Sequence, residues 1–110
     1  MSRDIGAVLS GAIRDELVTL MSSGAQVLVQ ALDRREWASV TFTGARHRVR
    51  ATIDGVGAGG VAGDFLDALP DLEFQIPGHI VADIALLVEA RRDGGDHAML
   101  ELEALTIKDC

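Results

Sequence analysis

The stretch from Ile80 to Ile107 constrains the fold more than any other part of the chain. It reads IVADIALLVEA, then RRDGGDH, then AMLELEALTI: two apolar arms around a Gly-Gly step. Such arms joined by a short glycine-bearing break read as a β-hairpin. With Asp93-Gly94-Gly95 as a three-residue loop, Arg92 stands opposite Asp96, Val88 opposite Leu100, Leu86 opposite Leu102 and Ile84 opposite Ala104. A two-residue Gly94-Gly95 turn would set Val88 against Glu101 and Asp93 against Asp96, a poorer match. The first arm has a helical alternative, because Ile80, Val81, Ile84, Leu87 and Val88 also recur at helical spacing and Arg91 and Arg92 would suit the last turn. The strand is preferred, since the alternating second arm needs a neighbour.

A second hairpin is expected over Trp37–Asp54, where WASVTFT and RHRVRATID flank Gly44-Ala45. A type II′ turn at Gly44 pairs Phe42 with His47, Val40 with Val49 and Ala38 with Ala51. The other face then sets Arg46, Arg48 and Arg50 against Thr43, Thr41 and Ser39. Ahead of it, residues 4–22 read as a helix, with Ile5, Val8, Leu9, Ala12, Ile13, Leu17, Leu20 and Met21 recurring at helical spacing, Ser2 or Asp4 as cap and Gly24 as stop. Residues 25–32 fit a strand or a second helical piece, and the strand is chosen. The charged run Asp33-Arg34-Arg35-Glu36 reads as a solvated connection. Residues 55–63, GVGAGGVAG, read as a flexible loop, 64–69 as a short helix, and Leu72, Phe74 and Ile76 as a strand.

The expected architecture is therefore one α+β domain over residues 1–110. It has a mainly antiparallel sheet of about five strands, an N-terminal helix and a short second helix, in the order α-β-β-β-α-β-β. A chain of 110 residues can bury a core without staples. That core must be aliphatic, because the chain has one Trp, three Phe and no Tyr. The net charge of −7 argues against nucleic acid or an anionic membrane as partner. The sole cysteine, Cys110, fits a reducing compartment, and the first residues lack the character of a signal peptide, so a cytoplasmic location is expected.

Several residues invite a chemical reading. Gly55-x-Gly57-x-x-Gly60 has the spacing of a phosphate cradle, but the strand before it alternates arginine with apolar residues, which is the wrong context. Arg46, Arg48 and Arg50 on one strand face could hold a carboxylate or phosphate; the plainer reading is a solvated face paired with acids such as Glu101 and Glu103. His47 on the apolar side reads as a hydrogen-bonded core histidine. His79 and Asp83 would share a face in a strand or a helix and form a weak acid–base or metal pair, with Glu73 as a third candidate ligand. No hydrolase, zincin, paired CxxC or calcium-loop spacing occurs, and neither a metal nor a cofactor is expected.

The remaining face of the Ile80–Ile107 hairpin would carry Ala85, Leu87, Met99 and Leu105 among Asp83, Glu89, Glu101 and Glu103. Such a mixed face suits a subunit contact with a polar rim. The preferred functional reading is a non-catalytic homodimeric binding or adaptor module with a protein partner. The element order resembles that of small dimeric secretion chaperones, a likeness with which small size, acidity and dimerisation are compatible. The alternative is a small-molecule or anion site beneath the Gly55–Gly63 loop, enzymatic if His47, Arg48, His79 and Asp83 converge there.

Overall fold

The structure, a computed structural model, describes residues 4–21, 24–91 and 95–108. The chain has an α+β fold in which one antiparallel sheet of four strands carries two α-helices. The elements run α1 (Ile5–Leu20), β1 (Gln26–Ala38), β2 (Thr43–Asp54), α2 (Ala58–Ala68), a 3-10 turn over Leu69–Asp71, β3 (His79–Arg91) and β4 (His97–Lys108). The strands lie in the order β1-β2-β4-β3.

Helix α1 starts where the sequence says it should. The Asp4 carboxylate accepts from the Gly6 N–H at 2.9 Å, satisfying one of the orphan donors of the first turn. Its four-residue spacing of Ile5, Leu9, Ile13 and Leu17 becomes one buried stripe. On the sheet, β2 contributes Ala45, His47, Val49, Ala51 and Ile53 to the same layer, and β4 contributes Ala98, Leu100, Leu102, Ala104 and Thr106. Both helices press on this face, so the core is one cluster between helices and sheet.

Several sequence expectations fail, each for a local physical reason. The sheet has four strands, because residues 26–38 are a single long strand, and Leu72–Gln75 pair with nothing beyond an isolated bridge from Ile76 to His79. The charged run Asp33–Glu36 lies within β1, with a bulge between Ala31 and Asp33. An edge strand with water beside it can hold such charges, and they discourage pairing with a stray chain. With two strands ahead of α2 instead of three, the element order no longer matches the one that resembled secretion chaperones.

The turn of the first hairpin is Ser39–Phe42, not Gly44-Ala45. Ser39 N–H donates to the Phe42 carbonyl at 2.7 Å, and Phe42 N–H donates to Ser39 Oγ at 3.0 Å. Trp37 therefore pairs with Gly44 and Ala38 with Thr43, and none of the pairs expected from a Gly44 turn forms.

Residues 58–63 are not a loop but the first turns of α2. Ala58, Val61, Ala62 and Phe65 repeat at helical spacing and are buried. Gly59 sits where the helix meets the β3–β4 end: its N–H donates to the Gly95 carbonyl at 2.9 Å, and an added Cβ would lie 3.3 Å from Gly95 Cα. A larger residue here would require Gly95 to yield by a few tenths of an ångström.

The central hairpin holds as a pair of strands, and the helical alternative for residues 80–92 fails. Ile84 pairs with Ala104 and Leu86 with Leu102, as expected. A bulge at Leu87 then sets Val88 against Glu101 and Glu89 against Leu100. The proposed Asp93-Gly94-Gly95 loop and the pairing of Arg92 with Asp96 fall partly outside the described residues.

Candidate functional site

With both helices on one side, no element among the described residues covers the opposite face of the sheet. Its centre is ionic. Glu101 of β4 is only 12% exposed in its side chain. Arg50 of β2 donates to it through Nε at 3.1 Å and through Nη2 at 2.7 Å, both to Oε1. Arg48 stands 3.7 Å from Oε2, and Arg46 reaches Glu103 Oε1 at 3.2 Å. The arginine stripe of β2 thus lies against the acid stripe of β4, one strand away, and not against Ser39, Thr41 and Thr43. Half-exposed pairs of this kind contribute little individually, but the fork of Arg50 fixes the position of Glu101.

Beside the ions lies an apolar strip. Ile107, Leu105 and Met99 of β4 share this face, with Ile80 paired to Ile107, Asp83 to Leu105, Ala85 to Glu103 and Val88 to Glu101. Ile80 and Val88 are exposed, at 51% and 41%. Of the residues expected on a contact surface, Ala85, Met99 and Leu105 lie on this face. Leu87 sits in the bulge, with no ladder partner.

The residues proposed to line a pocket are divided between the two faces. His47 is buried on the helix side, and His79, opposite Lys108, lies at that end of the sheet. Arg46, Arg48 and Arg50 lie on the uncovered side. A bulge at Ala82 turns Asp83 towards Leu105, so it does not share a face with His79. The residues also do not gather beneath a Gly55–Gly63 loop, because that segment is largely helix. Among the described residues, no three His, Cys, Asp or Glu side chains are placed to hold a metal ion.

His47 is 1% exposed and owes its state to its partners. Thr106 Oγ1 donates to the Ala45 carbonyl at 3.3 Å, so it accepts from His47 Nε2–H at 3.1 Å. The neutral ring then turns an unprotonated Nδ1, buried and without a partner among the described residues, towards Gly6 in the first turn of α1. Burial pulls the His47 pKa below its ordinary 6.5; the Arg34 charge adds to this, Asp4 opposes it, and His79 lowers it further. The unfolded chain therefore takes up a proton here before the folded chain does. This contribution to stability is complete above about pH 6.5 and is lost as pH falls below it, at up to about 1.4 kcal/mol per pH unit until the folded ring also titrates. Chemical denaturation at pH 7 and pH 5 should show the loss. His47→Leu, which leaves Thr106 bonded to Ala45, should show a smaller one; an equal slope in both proteins would rule the assignment out.

A groove of about 900 Å³ opens at the same end of the sheet, where the helix layer stops. It draws on five separate segments: Ile5, residues 34–38, 43–47, 77–79 and 106–108. Trp37 is part of its wall. Sequence reasoning singled out His47 and His79 but passed over Arg34, Trp37 and Lys108, because Arg34 and Trp37 stood in or beside a run taken for a connection; the one available signal was the single tryptophan directly after a charged stretch.

No family model matches the chain, and no curated protein matches it. Among solved structures, a chain of "Virion of native gene transfer agent (GTA) particle" is similar, with a TM-score of 0.64 over 99% of this chain and 100% of that one. The two sequences are 16% identical, so the likeness is one of fold.

Proposed function

We propose that the chain is a non-catalytic, protein-binding structural subunit that pairs with a second copy of itself through the uncovered sheet face. The observation that carries this reading is the placement of both helices on one side of the sheet, which leaves Ile80, Val88, Met99, Leu105 and Ile107 in a strip beside the Arg–Glu centre. Apolar surface rimmed by ordered charge is what a subunit contact requires. A two-fold axis would bring like patches together and place each arginine stripe within reach of the partner's Glu101 and Glu103. The likeness in fold to a chain of a virion particle supports a structural role in an assembly over an enzymatic one. A reducing, cytoplasmic setting belongs to the same proposal and is supported by cysteine usage.

Light scattering across micromolar concentrations tests the pairing. The wild-type chain should approach twice the mass of one 11.7 kDa chain. Val88→Lys places a cation opposite Glu101 at an exposed position. It should leave the fold intact and weaken association by roughly tenfold or more, about 1.4 kcal/mol. A wild-type protein that stays monomeric, or a Val88→Lys protein that associates equally well, would overturn the reading.

A further inference from the structure

The groove at the open end of the helix-covered face has a chemistry unlike the rest of this acidic chain. Arg34, Lys108, His47 and His79 line it, and Glu36, held by Arg34 at 3.1 Å, is its sole acid among the described residues. The chain as a whole carries −7. Apolar walls come from Ile5, Ala38, Ala45 and Pro77. Trp37 lines the groove too, and its indole Nε1–H is buried without an acceptor among the described residues. A buried N–H without an acceptor is costly, and a ligand oxygen that reached it would recover that cost.

We propose that this groove binds an acidic segment of a partner protein, with a carboxylate set between Arg34 and Lys108 and an oxygen accepting from Trp37 Nε1–H. The inference rests on the reading of the chain as a protein-binding subunit but uses a different surface from the self-pairing face. Two cations, Arg34 and Lys108, together with apolar walls suit a peptide that offers both carboxylates and aliphatic side chains; a lone inorganic anion would use the cations only. The local positive potential, set in a negative molecule, would also orient such a partner on approach.

Trp37 is the one tryptophan in a chain without tyrosine, so its emission reports on the groove alone. The experiment titrates the full chain with a peptide of alternating Glu and Leu, with a Lys–Leu peptide of equal length, and with inorganic phosphate. The Glu–Leu peptide should shift Trp37 emission saturably, and added salt should weaken the effect. An Arg34→Ser, Lys108→Ser double variant with unchanged circular dichroism should bind roughly tenfold more weakly. The Val88→Lys protein should bind as the wild type does, which separates this groove from the self-pairing face. Absence of a saturable shift, an equal response to the Lys–Leu peptide or to phosphate, or undiminished binding by the double variant would each overturn the proposal.

Discussion

Gly44→Ala is expected to destabilise the fold by about 3 kcal/mol, at the upper end for overpacking, and to lower the melting temperature by more than about 10 °C. The cause is contact, not backbone conformation. An added Cβ would stand 2.0 Å from the Thr106 carbonyl oxygen and 2.8 Å from Trp37 Cζ2. The carbonyl belongs to the neighbouring strand β4, paired residue by residue with β2, so neither strand can yield without breaking the ladder. Gly60→Ala provides the contrast. Gly60 lies exposed within α2, and an added Cβ there meets nothing within 4 Å. That substitution should stabilise by about 0.5–1 kcal/mol through helix propensity. Thermal or urea unfolding of the two variants checks both signs. A Gly44→Ala protein as stable as Gly60→Ala would mean that Trp37, Gly44 and Ile107 are not aligned across the sheet.

Gly44 also shows why part of the fold was legible in the sequence and part was not. A glycine between two apolar runs reads as a turn, and nothing in the sequence distinguishes that from a glycine needed because a tryptophan ring and a neighbouring carbonyl close over it. The turn moved to Ser39–Phe42, leaving Val40 and Phe42 in solvent, where alternation had placed them in the core. Strand β4 was readable because it is central with one face in the core, so burial enforces strict alternation. Edge strand β1 escapes that constraint and can carry Asp33–Glu36, which erased its signal. In α2 the stripe of Ala58, Val61, Ala62 and Phe65 was hidden by three intervening glycines, Gly59, Gly60 and Gly63. Of the candidate surfaces, the arginine stripe and its acids were readable, because each occupies alternate positions on one strand. The groove was not, because it is assembled from segments as distant as Ile5 and Lys108.

Phe65→Ala should be the other severe substitution, costing about 3–5 kcal/mol. Phe65 is fully buried and heads the largest buried side chains. It lies on the buried stripe of α2, in the same core cluster as Leu9 and Ile13 of α1 and Leu100 and Leu102 of β4. Truncation would leave a cavity that two helices and a sheet cannot readily close around. Phe65→Leu, which restores most of the volume, should recover more than half of the loss. Urea denaturation gives both values. A cost below about 1 kcal/mol for Phe65→Ala would show that α2 is not packed on the sheet and that Ala58–Ala68 is not a core element.

Both helices on one side and a second copy on the other is the claim on which the functional reading stands, and the methionine methyl groups report it directly. Met21 packs against the core on the helix side, whereas Met99 lies on the uncovered face, paired across the sheet with Thr52 and Ala90. NMR of carbon-13-labelled methionine methyls with a soluble paramagnetic agent, followed from dilute to concentrated protein, compares the two sides. The expected result is a Met99 methyl that is strongly relaxed when dilute and becomes protected as concentration rises, while Met21 stays unchanged. A Met99 methyl equally accessible at every concentration would contradict the account.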